Sequence, residues 1–189
     1  MAAQDVRYYL NGLLLLVEGK ELRAVATDGH RLAYASVEID TDLPRQEMIL
    51  PRKTVLELNR LLLDNDEALK ITLTPNQVRF AFGSVVLVSK LIDGKFPDYE
   101  AVIPIGADRE VKIDREAFRA ALQRASILSN EKYRGVRIEI SPGQIKINAH
   151  NPEQEEAQEE VEADTKVDSL VIGFNVNYLL DALSALRDE

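Results

Sequence analysis

The chain has 189 residues, 46% hydrophobic and 29% charged, with no Cys and no Trp, long enough for one large domain or two small ones with cores of their own. This balance excludes a disordered or collagen-like chain. The lack of cysteine excludes disulfide scaffolds, zinc–thiolate sites, iron–sulfur clusters and cysteine nucleophiles. The formal charge is −9, which at first argues against nucleic acid, whose phosphates repel anions.

Strand patterns dominate the first half. Leu13–Glu18 and Glu21–Ala26 flank Gly19-Lys20 and are expected to form a hairpin. Thr27-Asp28-Gly29-His30-Arg31-Leu32 then lies between two strands. Arg52–Leu63 follows Pro51 with a helical period that places Val55, Leu58 and Leu62 on one face. Leu69–Thr74 and Gln77–Phe82 flank Pro75-Asn76 as another hairpin, and Val85–Leu91, rich in β-branched residues, predicts a further strand. Asp93-Gly94-Lys95-Phe96-Pro97-Asp98 is the strongest loop signal, and Pro104–Asp108 is the expected domain boundary.

In the second half Asp114 is a candidate N-cap for a helix over Arg115–Leu128, with Phe118, Leu122 and Ala125 on one face. Val136–Ser141 and Gln144–His150 flank Pro142-Gly143 as a hairpin. Glu153, Glu155, Glu156, Glu159, Glu160, Glu162, Asp164 and Asp168 then crowd a segment whose one base is Lys166, so it holds −7 of the −9 and leaves the rest nearly neutral. Asn175 is a candidate cap for a last helix, Val176–Arg187, with Leu179, Ala182 and Leu186 together. The longest clean apolar run, Leu13–Val17, is far short of the ~20 residues a membrane span needs. No basic segment followed by an apolar stretch opens the chain. A soluble, cytoplasmic protein is expected.

An internal repeat underlies this order. Shifted by 123 residues, Gly12 meets Gly135, Leu15 meets Ile138, Leu22 meets Ile145 and Asp28 meets Asn151; one residue of slip then brings Val37 to Val161 and Asp40 to Asp164. Val55, Leu58 and Leu62 fall on Leu179, Ala182 and Leu186. About one and a half copies are present, so the sequence is expected to be a window from a longer protein.

The polar clusters suggest three chemistries. Asp28 and His30 form a conceivable acid–base pair, but residues two apart in a tight turn make a poor base–orienter bond and no nucleophile-elbow serine accompanies them. The segment is otherwise a structural turn or a turn on a binding surface. Metal binding is not expected: His30 and His150 fall at matching ends of the two repeats, and the acidic run lacks EF-hand spacing. That run is a solvated edge or a charge-complementary interface. No phosphate-cradling glycine motif occurs, and no cofactor is expected. Arg52 and Lys53 open a helix, where the dipole disfavours cations, and Arg115 and Arg119 repeat at i, i+4 with Arg124 near them. Like charges so placed cost an isolated helix about 0.2–0.5 kcal/mol per pair, which a polyanion would offset; an ordinary solvated face is the alternative.

Several of these segments carry a family pattern. Asp5-Val6-Arg7-Tyr8-Tyr9-Leu10-Asn11-Gly12, Ala26-Thr27-Asp28-Gly29-His30-Arg31-Leu32, Pro51-Arg52-Lys53, Ser89 through Tyr99, Ile127 through Lys132 and Asn151 through Glu156 together resemble the bacterial DNA polymerase III β subunit, the sliding-clamp family, in the family's order and over nearly the whole chain. The resemblance implies an α+β DNA-clamp fold: repeated domains with antiparallel sheets outside and helices lining a DNA channel. It implies residues 1–104 as most of the middle clamp domain and 105–189 as the first part of the C-terminal one. The family is a non-catalytic processivity factor, a head-to-tail homodimeric ring around duplex DNA that docks peptides of the polymerase α subunit, the clamp loader and other clamp-binding proteins.

Carried onto matching positions, the peptide cleft is implied at Arg7, Tyr9, Leu10, Thr27, Gly29, His30, Arg31, Leu32, Pro97 and Val102. DNA-facing positions are implied at Gln4, Arg52 and Lys53, to which the helix-face reading adds Arg115 and Arg119. The subunit interface is implied at Ile127 and Leu128, with Glu153, Glu155, Glu156 and Glu159 of the acidic run facing basic groups of the partner. The family's first domain and part of its cleft wall have no counterpart here, so this chain alone is not expected to close a ring. The alternative to a clamp is a protein-interaction module that does not bind DNA.

Overall fold

A computed structural model describes residues 1–62 and 67–186. They form two compact units, Met1–Ile103 and Pro104–Glu189, the second ending its described part at residue 186.

In the first unit a short 3-10 turn, Tyr8–Asn11, leads into strand β1 (Gly12–Thr27), which pairs antiparallel with β2 (Leu32–Pro51). Leu13–Glu18 and Glu21–Ala26, expected as the arms of a hairpin, instead belong to this one extended element. The irregularity sits where the turn was expected. Gly19 takes φ 60°, the ladder register shifts on both sides of it, and the apolar cluster takes odd-numbered Leu13 and Leu15 before it but even-numbered Leu22 and Ala24 after it. A glycine in the left-handed region permits such a bulge without breaking the ladder. The chain reverses at Asp28–Arg31, between Thr27 and Leu32.

Helix α1 (Arg52–Leu62) packs Val55 and Leu58 on a cluster built from Leu15, Met48, Leu50, Val78 and Phe80. That cluster also covers one face of a three-stranded antiparallel sheet in the order β3 (Lys70–Leu73), β4 (Gln77–Phe82), β5 (Val85–Lys90). The strand pattern is the cause: Val78, Phe80 and Phe82 alternate inward along β4. A second cluster joins Leu14, Leu16, Val25 and Ile49 to Phe96 and Tyr99, so the loop after β5 and the 3-10 turn Glu100–Val102 are held by two buried aromatic rings. Leu63, at the expected end of α1, lies outside the described residues.

The second unit is a five-stranded antiparallel sheet in the order β10-β7-β8-β9-β6, with β6 (Val111–Ile113), β7 (Gly135–Ser141), β8 (Gln144–His150), β9 (Glu156–Thr165) and β10 (Leu170–Asn175). The β7–β8 hairpin turns at Pro142-Gly143 as expected. Helix α2 (Arg115–Ile127) is capped by Asp114, whose carboxylate accepts from the Ala117 N–H at 2.6 Å. It seats Ala121, Leu122 and Ala125 on Ile138, Ile145 and Ile147. Helix α3 (Val176–Ala185) is capped by Asn175.

The buried stripe of α3 is Val176, Leu179, Leu180 and Leu183, not Leu179, Ala182 and Leu186: Ala182 is exposed and Leu186 is 55% exposed. Two apolar stripes overlap in this leucine-rich segment, and the one in phase with the fully buried Val176 wins. Arg187 lies outside the described residues. The repeat is visible as equivalent ladders: Leu13 pairs with Leu50 as Val136 pairs with Phe174, and Leu22 with Val37 as Ile145 with Val161. No helix among the described residues is long and apolar enough to cross a membrane.

Candidate peptide groove and nucleic-acid face

The Asp28–Arg31 reversal is wired by its own side chains. Asp28 Oδ1 accepts from the backbone N–H of His30 and Arg31, each at 3.1 Å, and Oδ2 from Arg31 Nε at 3.1 Å. Thr27 Oγ1 donates to the Arg31 carbonyl at 2.8 Å and accepts from the Gly29 N–H at 3.1 Å. This is a turn built on side-chain acceptors, with the Asp28 carboxylate committed to backbone and guanidinium. Burial alone would raise the Asp28 carboxyl; the hydrogen bonds from His30, Arg31 and the Arg31 guanidinium outweigh it and hold it below the ordinary value.

Across from this turn, Arg7 donates through Nε and Nη2 to the two oxygens of Asp5 at 3.0 and 2.9 Å, and its N–H bonds Asp5 Oδ1 at 2.8 Å. The guanidinium and backbone bonds from Arg7 hold the Asp5 carboxyl down to about 2. Gly29 takes φ 87°, and a Cβ there would lie 3.2 Å from Arg7 Nη2, so the guanidinium lies directly against the bare glycine. Between these parts is a groove of about 340 Å³. All ten residues of the implied cleft line it, and Asp98 and Tyr99 line it as well.

Its apolar wall comes from Leu10, 2% exposed at the end of the first 3-10 turn, Leu32 at the start of β2, and Val102, 66% exposed in the second 3-10 turn. Tyr99 is buried, and its hydroxyl accepts from Arg23 Nη1 at 3.4 Å and donates to Glu100 Oε1 at 3.3 Å. Asp98 and Tyr99 stand next to Pro97 in a motif already singled out. What sequence could not supply was the direction in which that loop turns them.

The cationic positions are less open than their spacing suggests. Arg52 Nη1 donates to the carbonyl of Met1 at 3.1 Å and of Ala2 at 3.5 Å, tying down the start of the chain. Glu116 bridges Arg115 at 2.9 Å and Arg119 at 3.5 Å, and Arg115 also caps the Leu186 carbonyl at 2.7 Å. The like-charge cost expected on α2 is thus met by a carboxylate on the same helix. Gln4 and Lys53 are exposed.

Of the implied interface residues, Ile127 is 76% exposed at the end of α2 and Leu128 half-buried. Glu153, Glu155 and Glu156 are exposed, with Glu155 Oε2 accepting from Asn151 Nδ2 at 2.6 Å. Glu159 instead forms a two-bond pair with Arg124, at 2.9 and 2.6 Å, and this pairing lowers its carboxyl. Sequence spacing had no means of joining residues 35 positions apart.

A larger concavity, about 890 Å³, lies at one end of the second unit's sheet among Tyr133, Arg137, Asn148, His150 and Phe174. Its polar groups engage one another: Arg137 and Asn148 both bond Glu139, and Asn175 caps α3. Size alone does not make it the better candidate. His30 and His150 belong to different units, and among the described residues no group of three metal-ligating side chains converges.

Comparison with known proteins identifies the lineage. Residues 1–98 match the family model of the DNA polymerase III beta subunit, central domain, and residues 100–189 that of its C-terminal domain. The chain belongs to the DNA polymerase III beta subunit family. It is 54% identical over 190 residues to the beta sliding clamp of Pseudomonas putida and 50% identical over 189 residues to that of Escherichia coli K12. Each match covers 100% of this chain and 52% of the relative, so the chain spans about half the length of the curated relatives it matches.

Among solved structures, the DNA polymerase sliding clamp of Pseudomonas aeruginosa with ligand superposes with a TM-score of 0.95 at 53% identity, over 99% of this chain and 51% of that one. A Pseudomonas aeruginosa DnaN sliding clamp bound to griselimycin gives 0.92 at 54% identity, over 97% and 50%. The antiparallel sheets with few helices described above are the clamp fold of this family.

Proposed function

We propose that the chain provides central and C-terminal clamp domains of a bacterial DNA sliding clamp, a non-catalytic, cytoplasmic processivity factor that encircles duplex DNA and docks partner peptides. In this reading residues 1–104 and 105–189 are its two domains. The observation that carries it is the consecutive match of both halves to the beta-subunit domains in order.

The groove lined by Leu10, Leu32 and Val102 is the docking site for short extended peptides of the polymerase and clamp loader. Its support is an apolar wall beside the guanidinium groups of Arg7 and Arg31, which line the same groove. Gln4, Arg52, Lys53, Arg115 and Arg119 face DNA through its phosphates, and no base readout is involved. Ile127, Leu128 and the carboxylates of Glu153, Glu155, Glu156 and Glu159 take part in subunit pairing. Arg124 competes for the last of these.

The engagement of Arg115 and Arg119 by Glu116 favours a second reading, an interaction module that leaves DNA alone. Retention on immobilised duplex DNA separates the two. A clamp piece is held at low salt, elutes as salt rises, and loses retention in Lys53→Glu and Arg119→Glu. No retention at low salt, or retention indifferent to both substitutions, contradicts the DNA-facing assignment and leaves the interaction module.

A further inference from the structure

The two sides of the groove differ in origin. The turn between Thr27 and Leu32 continues the β1–β2 ladder, whereas Pro97, Asp98, Tyr99 and Val102 come from the segment after β5. This second side is not part of a sheet. Val102 ends a three-residue 3-10 turn and is 66% exposed, so its distance from the first side has to be fixed by other contacts.

One face of the ladder supplies them. Glu21, Arg23 and Val25 alternate onto it from β1, and Ser36 and Tyr34 oppose Arg23 and Val25 from β2. Val25 packs with buried Phe96 and Tyr99, and the Tyr34 ring lies 6.1 Å from that of Tyr99. These contacts hold the Tyr99 ring but stop short of the turn beyond it. Arg23 reaches further. Its Nη1 donates to the Tyr99 hydroxyl and to Glu100 Oε1, each at 3.4 Å, and that hydroxyl donates to the same carboxylate oxygen at 3.3 Å. Glu100 is the first residue of the turn that ends at Val102.

The guanidinium is itself held in aim. Nη2 donates to Glu21 Oε2 at 2.7 Å on the same strand, a bond that draws the Glu21 carboxyl below its ordinary value. Nε is buried and has no hydrogen-bond partner among the described residues, a cost that an apolar side chain would not carry. The gain lies at the Nη ends, and both bonds from Nη1 go to the segment that carries Val102.

We propose that Arg23 is a positioning residue of the groove: through Tyr99 and Glu100 it holds the Glu100–Val102 turn, and with it the Val102 side chain, at the width an extended segment needs. This rests on the docking reading above and gives a role to a residue that does not line the groove. A turn that swings free must be ordered again on binding, which weakens affinity and shows mainly as faster dissociation.

The test uses the full chain and an uncharged, fluorescein-labelled hexapeptide of alternating leucine and serine, titrated by fluorescence anisotropy. Arg23→Met keeps the apolar stem and removes the donors, and Arg23→Lys restores one cationic donor. Arg23→Met should bind the peptide about fivefold more weakly, the size of one net hydrogen bond, and Arg23→Lys should recover part of that loss. The deciding readout is a double-mutant cycle with Val102→Ala. A residue that works by placing Val102 loses its effect once that side chain is gone, so Arg23→Met should cost less than about twofold in the Val102→Ala background. A merely structural loss carries over at full size.

Should Arg23→Met melt too low to titrate, the pair Tyr99→Phe and Glu100→Ala takes its place in the cycle; it removes both acceptors of Nη1 and keeps the buried ring, and the same fivefold and twofold figures are expected. Unchanged binding by the folded variant, or a penalty of equal size with and without Val102, overturns the proposal while leaving the docking site standing. If the folded wild type does not bind the peptide, the docking reading falls and this inference falls with it.

Discussion

Replacing Gly29 by alanine adds one methyl group at the place where the turn and the groove share a backbone. Gly29 has φ 87°, and an L-residue held in the left-handed region costs about 1–2 kcal/mol. The new Cβ would also stand 3.2 Å from Arg7 Nη2, so the guanidinium must give way by a few tenths of an ångström. If the turn relieves this cost by leaving its present shape, peptide affinity falls by about 5- to 30-fold, at 1.4 kcal/mol per decade.

Gly143→Ala is the matched control. Gly143 has φ 82°, no atom lies within 4 Å of its notional Cβ, and it sits in the β7–β8 turn of the other unit. Its backbone cost is similar, but it lies outside the groove of the first unit. Both variants should melt about 4–16 °C below the wild type, at roughly 4–8 °C per kcal/mol for a unit of this size. Only Gly29→Ala should weaken binding of the uncharged peptide. Unchanged binding by Gly29→Ala, or equal weakening by Gly143→Ala, would refute the claim that this turn shapes the groove.

Leu122→Ala removes a fully buried side chain from the second unit's core and should cost about 2–5 kcal/mol, read from the urea midpoint, while peptide binding in the first unit stays near wild type. Gly12→Ala would drive a Cβ to 2.5 Å from Ile49 Cγ2 and 2.7 Å from the Leu50 carbonyl oxygen; the strand backbone cannot yield as a side chain can, and a loss of about 1–3 kcal/mol is expected in thermal melts. Asp5 sits at about 2 in the folded chain against an ordinary 3.8. Its depressed carboxyl therefore stabilises the fold above about pH 4, and that contribution is lost as pH falls through about 2. Asp5→Asn should flatten the stability profile across that window, and a profile identical to wild type would refute the pairing.

What the sequence revealed and what it hid have physical causes. Strands with strict alternation, such as Val78, Phe80 and Phe82, and helices with clear caps, such as Asp114 before α2, were legible because local pattern and tertiary burial agree. Gly19-Lys20 misled because a glycine beside a polar residue signals a tight turn and a bulge equally well; only the ladder to β2, 20 residues long, decides. The face of α3 misled because leucine and alanine occupy two phases at once, and Val176 at the helix start sets which one is buried. The groove was legible through motifs resembling a family, not through periodicity. Its electrostatics were not. The Asp5–Arg7 and Asp28–Arg31 pairs lie within three residues in sequence, yet only the turn geometry shows them compensated. Arg124–Glu159 joins a helix to a strand and has no local signature.

The most direct test of the account is an anisotropy titration of the uncharged labelled peptide against the wild type and Leu32→Asp, each checked for folding by circular dichroism. Leu32 is half-buried on the groove's apolar wall, so a carboxylate there should abolish docking without unfolding the chain. The account predicts a saturable rise in anisotropy with the wild type and none with Leu32→Asp. An equal response from both folded proteins, or none from the wild type at saturating protein, would contradict it.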